Sequence, residues 1–320
     1  MRRHALLALL APIAPIAPLP AIVASAASTA IAIALACALG AAPAAAQTTE
    51  AAAAAAGEAE HAAKMAKEHQ HDTATASPAT VPAPAQTVAA EEVVYATLDG
   101  VAVKGYLTRP VQTAPTGKPL PALIVIQEWW GLNDNIRAMA RRFAGEGYLV
   151  LAVDLYEGKV ATTPEAAMAA MQGAMERPAR LMENLRQARG YLATQGGATK
   201  IGVVGWCFGG GWALETALGI PDGIAAVVMY YGRTQSEPKV LAALRAPLLG
   251  LFGGKDQGIP VDGVRQMEHE LVKLGKNATI VIYPEADHAF ANPTGNRYLA
   301  GPATDAWAKT TAFFAQHLKN

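Results

Sequence analysis

Residues 91–320 alternate between short apolar runs and longer segments in which apolar side chains recur with helical spacing. Most of the short runs are continuous stretches of Val, Ile, Leu and Ala, which is typical of parallel strands covered on both faces. The runs that predict strands are 101–107 in a leading hairpin, 122–127, 148–153, 200–205, 225–231, 248–252 and 279–283. The segments that predict helices are 133–145, 164–193 with a break near Pro178, 210–218, 261–274 and 304–318. This alternation predicts one α/β domain with a mostly parallel central sheet and helices on both faces.

Residues 1–46 have the pattern of an export signal, with a basic start followed by a long apolar stretch. Small residues at Ala44 and Ala46 satisfy the spacing that signal cleavage requires. We therefore expect a periplasmic or secreted protein, or a membrane-anchored one if the segment is not cleaved. A lipid anchor at Cys37 is disfavoured, because Ala34 stands where such a site requires Leu or a similar residue.

Residues 47–90 are rich in Ala, Pro, Ser and Thr and predict a flexible linker, with room for one short helix over 51–68. Several side chains here are potential metal ligands, namely His61, Met65, His69, His71 and Asp72. They could loosely hold a copper or nickel ion, since imidazole and thioether suit those metals. Their spacing fits no closed metal site, so we favour a solvated linker.

The charged residues and the cysteines exclude two broad classes of protein. The chain has 26 basic and 26 acidic side chains, whereas electrostatic binding of nucleic acid needs clustered Lys and Arg. Two cysteines cannot form the disulfide framework of a small secreted domain. Cleavage after Ala46 would remove Cys37 and leave Cys207 as the only thiol of a slightly acidic chain.

The residues Gly205-Trp206-Cys207-Phe208-Gly209 join a predicted strand to a predicted helix. The pattern G-x-nucleophile-x-G is typical of a nucleophile elbow, a strained turn in which glycine leaves room for the neighbouring strand and helix. Cys207 would then lie at a helix N-terminus, where unpaired N–H groups favour a thiolate and a developing oxyanion. The alternative is a buried structural cysteine beside an ordinary glycine-rich turn. The chain has no dinucleotide- or phosphate-binding glycine motif, so we expect no nucleotide cofactor.

Asp256 and His288 follow Cys207 in the order that an α/β-hydrolase requires. Each comes after a predicted strand, and the loops that follow parallel strands meet at one edge of the sheet. We therefore predict that Cys207, His288 and Asp256 form a catalytic triad. Asp287 is the rival acid, but it adjoins His288 so directly that its carboxylate would hardly reach the far ring nitrogen.

A second signal lies at the end of the strand predicted after the hairpin, where Glu128 is followed by Trp129 and Trp130. An α/β-hydrolase places at this point the loop that supplies its other oxyanion N–H group. The two tryptophans would partly desolvate the Glu128 carboxylate, which raises its pKa and lets it exchange a proton with a nearby thiol. The alternative is that Glu128 caps the following helix, although Asn133 or Asp134 is the better placed cap.

Together these segments resemble the dienelactone hydrolases, or carboxymethylenebutenolidases, a family of small monomeric α/β-hydrolases with a Cys–His–Asp triad. The resemblance covers roughly residues 92–320 and is carried by six segments. They are Gln127-Glu128-x-x-Gly131-Leu132-Asn133, Gly147-Tyr148 through Asp154-Leu155-Tyr156, Gly202-x-x-Gly205-x-Cys207-x-Gly209-Gly210, Tyr230-Tyr231-Gly232, Gly253-Gly254-x-Asp256 and His288-x-Phe290.

The resemblance implies a role for each matching catalytic residue. Cys207 is expected to be the nucleophile, His288 the base and Asp256 the acid that orients it. Glu128 is expected to hold the resting thiol and to accept its proton when substrate arrives. A thiol kept neutral until then would resist oxidation, which matters outside a reducing cytosol. No metal or organic cofactor is implied.

The resemblance also implies an oxyanion hole made by the backbone N–H groups of Trp129 and Phe208. The aromatic residues near these positions predict a mostly apolar pocket mouth, although each of them could equally be core. The predicted pocket residues are Trp130, Trp206, Phe290 and Asn292.

Relatives that cleave the carboxylate-bearing dienelactone hold its carboxylate with two arginines. One of them belongs four residues after the histidine, where this chain has Asn292. The other belongs before the nucleophile strand, where Arg177 and Arg180 come first and neither aligns clearly. Without this bidentate clamp, the main reason to expect an acidic lactone is lost.

These features predict an exported thiol hydrolase that cleaves a carboxylic ester or lactone through an acyl-enzyme. Its expected partner is a small molecule, and we expect a monomer that binds neither nucleic acid nor, once the leader is cleaved, a membrane. A thioesterase or peptidase with the same triad is an alternative, which a panel of ester, thioester and amide substrates would separate. A non-catalytic cell-envelope binding protein on a hydrolase scaffold is another, which labelling of Cys207 by an ester mimic would separate.

Overall fold

The computed structural model describes residues 64, 65, 67, 69, 70, 72, 81–111 and 119–320. All of them belong to the unit Gly57–Asn320. The predicted leader, with Cys37, and the linker residues His61 and His71 lie outside the described residues. Among the helices of the described part, none combines the length and the apolar character that crossing a membrane requires.

Within the described residues, eight strands form one sheet that is parallel in its centre and antiparallel at one end. The strands are β1 (Val88–Leu98), β2 (Val101–Pro110), β3 (Ala122–Ile126), β4 (Leu149–Ala152), β5 (Ile201–Trp206), β6 (Ala226–Tyr230), β7 (Leu248–Gly253) and β8 (Ala278–Tyr283). Their spatial order is β1-β2-β4-β3-β5-β6-β7-β8. β2 pairs antiparallel with β1 and β4, and all pairs from β4 to β8 are parallel. The predicted α/β architecture is confirmed.

Helices fill most connections between the strands. They are α1 (Asp134–Gly145), α2 (Pro164–Met175), α3 (Pro178–Thr194), α4 (Phe208–Gly219), α5 (Pro238–Leu241), α6 (Val261–Lys273) and α7 (Ala300–Phe314), which continues into a π-helical turn, Ala315–Lys319. The stretch predicted as one broken helix over 164–193 is two helices, because Pro178 cannot donate the backbone hydrogen bond that a continuing helix needs. The short helix α5 lies where the sequence predicts none.

The start of α1 decides between two interpretations of Glu128. The Asn133 side chain accepts a hydrogen bond from the backbone N–H of Ile136 at 3.1 Å, so Asn133 is the N-cap. The Glu128 carboxylate is therefore not needed as a cap.

The central strands bring the predicted site residues to one edge of the sheet. β3, β5, β6 and β7 are buried along their whole length, and the carboxyl ends of parallel strands lie at the same edge. Glu128 follows β3, Cys207 follows β5, Asp256 follows β7 and His288 follows β8. The order of strands in the sheet thus places side chains from distant parts of the chain next to each other.

One part of the predicted linker packs against the domain. We call its described residues, 64, 65, 67, 69, 70 and 72, the His69 segment. Met65 and His69 are only 3% and 2% exposed and lie four residues apart on a helical turn, so both side chains face the domain. Two residues of the stretch predicted as a solvated linker are thus buried, while residues 64, 67 and 70 are exposed. Two buried side chains are too few to give a periodic apolar pattern in the sequence. β1 also begins at Val88, before the predicted domain start at residue 91.

Two glycines set how closely α4 approaches the sheet. A Cβ atom on Gly205 would lie 2.0 Å from the carbonyl oxygen of Gly209, and one on Gly209 would lie 2.4 Å from that of Gln127. Both obstacles are backbone atoms, which cannot rotate out of the way. Only glycine fits at either position without moving α4 away from β5 and β3.

We predict that Gly205→Ala lowers the free energy of unfolding by more than about 3 kcal/mol. Small-to-large substitutions destabilise most when the new side chain meets backbone atoms that cannot move aside. Denaturant unfolding measures the effect. The control is Gly173→Ala in α2, where no atom lies within 4 Å of the new methyl group and where we expect a gain of about 0.5–1 kcal/mol. Unchanged stability of Gly205→Ala would contradict the close approach.

Candidate active site

Cys207 occupies a strained turn between β5 and α4. Its φ of 53° and ψ of −117° lie outside the regions that most side chains adopt. Its backbone N–H donates to the Tyr230 carbonyl at 3.1 Å, which ties the turn to the end of β6. α4 begins at the next residue, Phe208, so the thiol lies at a helix N-terminus with unpaired N–H groups. The thiol is buried, and Cys207 is the free cysteine of the described residues.

Asp256 holds the ring of His288 in the predicted way. The His288 Nδ1 lies 2.7 Å from the Asp256 Oδ2, and both side chains are fully buried. The other Asp256 oxygen accepts the backbone N–H of Ile259 at 2.7 Å. The rival, Asp287, accepts only the backbone N–H of His288, at 2.7 Å, so it lies away from the ring nitrogens. The Nε2 of His288 is therefore the nitrogen that faces Cys207.

The loops that carry Asp256 and His288 are bonded to each other. The Gly254 N–H donates to the Tyr283 carbonyl at 2.7 Å, and the Lys255 N–H donates to the Ala286 carbonyl at 2.9 Å. These bonds fix the separation between the two loops. The hydrogen bond between Asp256 and His288 is consequently set by backbone as well as by side-chain packing.

Backbone strain is concentrated around this site. Tyr231, directly after β6, has a φ of 36°, and Ala289, directly after His288, has a φ of 57°. Together with Cys207, these are three non-glycine residues in the left-handed region, which costs each of them roughly 1–3 kcal/mol. Such strain persists where surrounding contacts hold the backbone in a functional position.

Glu128 is buried and bonded to neutral groups. Its Oε2 accepts the amide of Asn292 at 2.7 Å, and its Oε1 lies 3.5 Å from the hydroxyl of Tyr231. Burial, reinforced by the charge of Cys207, raises the pKa of Glu128 to about 8. The sequence predicts this direction. The hydrogen-bond partner differs from the expected one, because no hydrogen bond joins Glu128 to the Cys207 thiol among the described residues.

The charges around Cys207 favour its ionised form. Burial opposes this, but the positive charge of His288 and the nearby His69 ring lower the pKa of Cys207 to about 6. Burial likewise opposes the charged form of His288, yet the Asp256 carboxylate outweighs it and holds the His288 pKa well above its ordinary value. This balance favours an ionised thiol, whereas the resemblance implies a neutral one at rest. The sequence could not show it, because the balance depends on two imidazoles converging on one sulfur.

The pocket beside Cys207 is more polar than predicted. Trp129, Trp130 and Asn292 line it, but most of the other lining side chains are polar or charged; these are His69, Asp72, Glu128, Asn133, Thr294, Asn296 and Arg297. Trp206 instead packs on Phe143 and Tyr230 and lines a separate cavity, while Phe290 packs on Tyr231 and Tyr283. The prediction of a mostly apolar mouth is therefore wrong, since several of the aromatics are core.

The side chain of Phe208 packs into the hydrophobic core and does not line the pocket. Its ring packs against Tyr156 and Trp212, with centroids 5.5 Å and 6.3 Å away. Its backbone N–H stands at the first position of α4, where it has no partner within the helix. The ring of Trp129 packs against His69, with centroids 4.4 Å apart.

The structure adds two residues that sequence reasoning missed at the site. His69 places its Nε2 4.0 Å from the Cys207 Sγ, whereas the sequence indicated a linker residue or a loose copper or nickel ligand. Arg297 bonds to Asp72 at 2.7 Å and lines the same pocket. The polar run that follows His288 is the one signal that could have indicated a pocket residue there.

The two arginines considered for a substrate clamp lie elsewhere. Arg180 bonds to Glu157 at 2.7 Å and also pairs with Asp99, and Arg177 is 57% exposed. Neither lines the pocket beside Cys207. The Asn292 amide donates to Glu128. At the position where the resemblance would place a substrate-binding arginine, this chain therefore has a residue that positions a carboxyl group.

Comparisons with known proteins give one consistent family match. The model of the dienelactone hydrolase family matches residues 103–318. Two relatives, each named "Putative carboxymethylenebutenolidase", come from Methylorubrum extorquens and Saccharolobus solfataricus. The first is 34% identical over 76% of this chain and 86% of its own length, and the second is 31% identical over 70% and 97%.

Solved structures give the same result. A "Putative Dienelactone Hydrolase" from Klebsiella pneumoniae is 31% identical, has a TM-score of 0.65 and covers 72% of this chain and 100% of its own. A dienelactone hydrolase-like promiscuous phosphotriesterase from metagenomic libraries has a TM-score of 0.66 at 22% identity, which shows a shared fold.

We predict that Asp256→Asn slows alkylation of Cys207 by iodoacetamide at pH 7 by about tenfold or more, because a weaker positive charge on His288 stabilises less thiolate. The rate of loss of free thiol measures it. Asp287→Asn is the matched control and should react at the wild-type rate, since that carboxylate contacts only backbone. Equal slowing in both variants would contradict the assignment of Asp256.

Proposed function

Because the chain belongs to the dienelactone hydrolase family, whose activity is hydrolysis of carboxylic esters and lactones, we propose that it does so through an acyl-enzyme on Cys207. The observation that carries the proposal is the arrangement of three side chains. Cys207 lies at a helix N-terminus, and His288, held 2.7 Å from Asp256, presents its Nε2 to the same pocket. These are the parts that nucleophilic acyl transfer requires.

The first step is acylation. The Cys207 sulfur attacks the ester carbonyl carbon, and the carbonyl π electrons move to the oxygen to give a tetrahedral intermediate. Collapse of this intermediate expels the alcohol oxygen, which takes a proton from the His288 Nε2. The products of this step are the thioester on Cys207, a free alcohol and neutral His288. In a lactone, the same cleavage opens the ring and the alcohol stays attached to the acyl group.

Two backbone N–H groups support the negative oxygen. Phe208 begins α4, so its N–H has no partner within the helix. Trp129 follows the end of β3 on the opposite side of the pocket, where it lines the space above Cys207. Donors fixed in this way stabilise a transition-state charge by roughly 3–4 kcal/mol each.

The second step is deacylation. Neutral His288 takes a proton from water through its Nε2, and the resulting hydroxide attacks the thioester carbonyl. The tetrahedral intermediate expels the Cys207 thiolate and releases the carboxylic acid. Asp256 keeps the Nε2 directed to the pocket by holding the other ring nitrogen, and its charge stabilises the imidazolium formed.

Glu128 keeps the pocket from carrying a second negative charge. With a pKa near 8 it holds a proton at neutral pH, so it stays uncharged beside the thiolate. Asn292 donates to its Oε2 and thereby positions it as a neutral group. Because this amide replaces an arginine clamp, we propose uncharged esters and lactones as the preferred substrates.

We also propose that the chain is exported and that residues 1–46 are removed. The basic start, the long apolar stretch and the small residues at Ala44 and Ala46 support this.

The proposed chemistry predicts that Cys207→Ala lowers the turnover of p-nitrophenyl acetate by at least about 10³-fold, because removal of the nucleophile leaves only binding and oxyanion effects. The release of p-nitrophenol measures turnover. His269→Ala, on the exposed face of α6, is the control and should keep wild-type activity. Undiminished turnover of a folded Cys207→Ala variant would exclude the proposed nucleophile.

The export proposal predicts that the protein recovered from the periplasm of a bacterial host begins at Gln47. Intact-mass measurement gives the N-terminus directly. Recovery of the whole chain from the cytosolic fraction alone would refute it.

A further inference from the structure

The His69 segment brings a second imidazole to the nucleophile. The His69 ring is 2% exposed and packs against the rings of Trp129 and His288, with centroids 4.4 Å and 4.8 Å away. Its Nε2 lies 4.0 Å from the Cys207 Sγ. One ligand atom from each of His69, Cys207 and His288 lies within 4.8 Å of the other two. The three side chains thus surround one point in a buried pocket.

Both imidazoles are oriented in the same way, with a carboxylate on Nδ1. His69 Nδ1 lies 2.5 Å from Asp72 Oδ2, and His288 Nδ1 lies 2.7 Å from Asp256 Oδ2. Each Nδ1–H donates to its carboxylate, so the Nε2 atoms of both rings face the sulfur and can bind an ion once each has lost its proton. Proteins orient metal-ligating histidines through this arrangement.

Arg297 keeps the Asp72 carboxylate in place. Its Nη2 lies 2.7 Å and 3.0 Å from the two Asp72 oxygens and 2.9 Å from the His69 Nδ1. Because arginine only donates, we assign its hydrogen bonds to the carboxylate and the Nδ1 proton to His69. The His69 ring is therefore fixed by a charged pair and not by packing alone.

The Nε2 of His288 differs from the Nδ1 of the same ring, which is bonded to Asp256. The His288 Nε2 is buried and makes no hydrogen bond among the described residues, and the whole side chain is 0% exposed. An unpaired buried ring nitrogen is costly unless a ligand or substrate group pairs with it. It faces the same point as the His69 Nε2 and the Cys207 Sγ.

From these contacts we propose that His69 Nε2, His288 Nε2 and Cys207 Sγ form a site for a divalent ion of the zinc class, with one coordination position open. Two imidazoles and a thiolate are the donor set that Zn²⁺ and Co²⁺ accept and that Mg²⁺ and Ca²⁺ do not. A tetrahedral ion with bonds of about 2.0–2.3 Å needs donors about 3.3–3.6 Å apart. The three donor atoms lie within 4.8 Å of one another, so side-chain movements of about 1 Å would bring them to the spacing that the ion needs.

The site goes beyond the proposed hydrolysis and uses the same cysteine. A bound ion occupies the sulfur lone pair that attacks the ester and the nitrogen lone pair that activates water. The loaded chain would therefore be an inactive, oxidation-protected form, and removal of the ion would restore the nucleophile. The His69 segment supplies the ligand that makes this site tighter than a Cys–His pair.

Titration of the metal-free full-length chain with Co²⁺ tests the proposal without any turnover. We expect one ion per chain to produce both the visible bands of tetrahedral Co²⁺ and the near-ultraviolet charge-transfer absorption of a sulfur–cobalt bond. Displacement by Zn²⁺ then gives the zinc affinity. Ions held by histidines alone would lack the charge-transfer absorption.

Three variants test a proposed ligand, a residue that orients this ligand, and an exposed histidine as the control. His69→Ala should weaken Zn²⁺ binding by at least about 100-fold, and Asp72→Asn, which leaves all three ligands, by about tenfold. His269→Ala, whose ring is exposed on α6, should bind as the wild type does. Circular dichroism establishes that each variant is folded.

Unchanged zinc affinity of both His69→Ala and Asp72→Asn would overturn the site, as would cobalt binding without a sulfur–cobalt band. The outcome is separate from that of the proposed hydrolysis. A chain that binds Co²⁺ through Cys207 but hydrolyses no ester would refute only the proposed function, and an active esterase without the cobalt spectrum would refute only the metal site.

Discussion

The strained turn at Cys207 holds the nucleophile, the start of α4 and the end of β6 in one arrangement. A positive φ at a non-glycine residue is unfavourable, and it persists here because β5 and α4 approach so closely that Gly205 and Gly209 have no room for a Cβ atom. Because of this close approach, Cys207 lies at the carboxyl edge of the sheet, directly before the first N–H groups of α4. The hydrogen bond from the Cys207 N–H to the end of β6 fixes the turn relative to the neighbouring strand.

Much of the fold and part of the site could be predicted from the sequence, because the signals were local. Continuous apolar runs indicated buried parallel strands. Cys207, Asp256 and His288 each follow such a run, which placed all three at the edge where the parallel strands end. The glycines around Cys207 indicated a close backbone approach. Even the choice of Asp256 over Asp287 followed from how far a side chain reaches from its own backbone.

What could not be predicted depends on contacts between distant segments. The low pKa of the Cys207 thiol and the high pKa of the Glu128 carboxyl arise where two imidazoles and a buried carboxyl group meet, and no pattern along the chain indicates such a balance. His69 lies in a polar, alanine-rich stretch, so only its partners Trp129, Asp72 and Arg297 show that it is buried. Trp206 and Phe290 are aromatic neighbours of catalytic positions, yet their rings point into the core.

Mass spectrometry of the protein during turnover shows whether acyl transfer passes through Cys207. The chain is mixed with p-nitrophenyl butyrate, quenched in acid within the first turnover and analysed as intact protein and as peptides. We expect a mass gain of one butyryl group, located on the peptide that contains Cys207. Rapid release of p-nitrophenol with no acyl group on that peptide would contradict it.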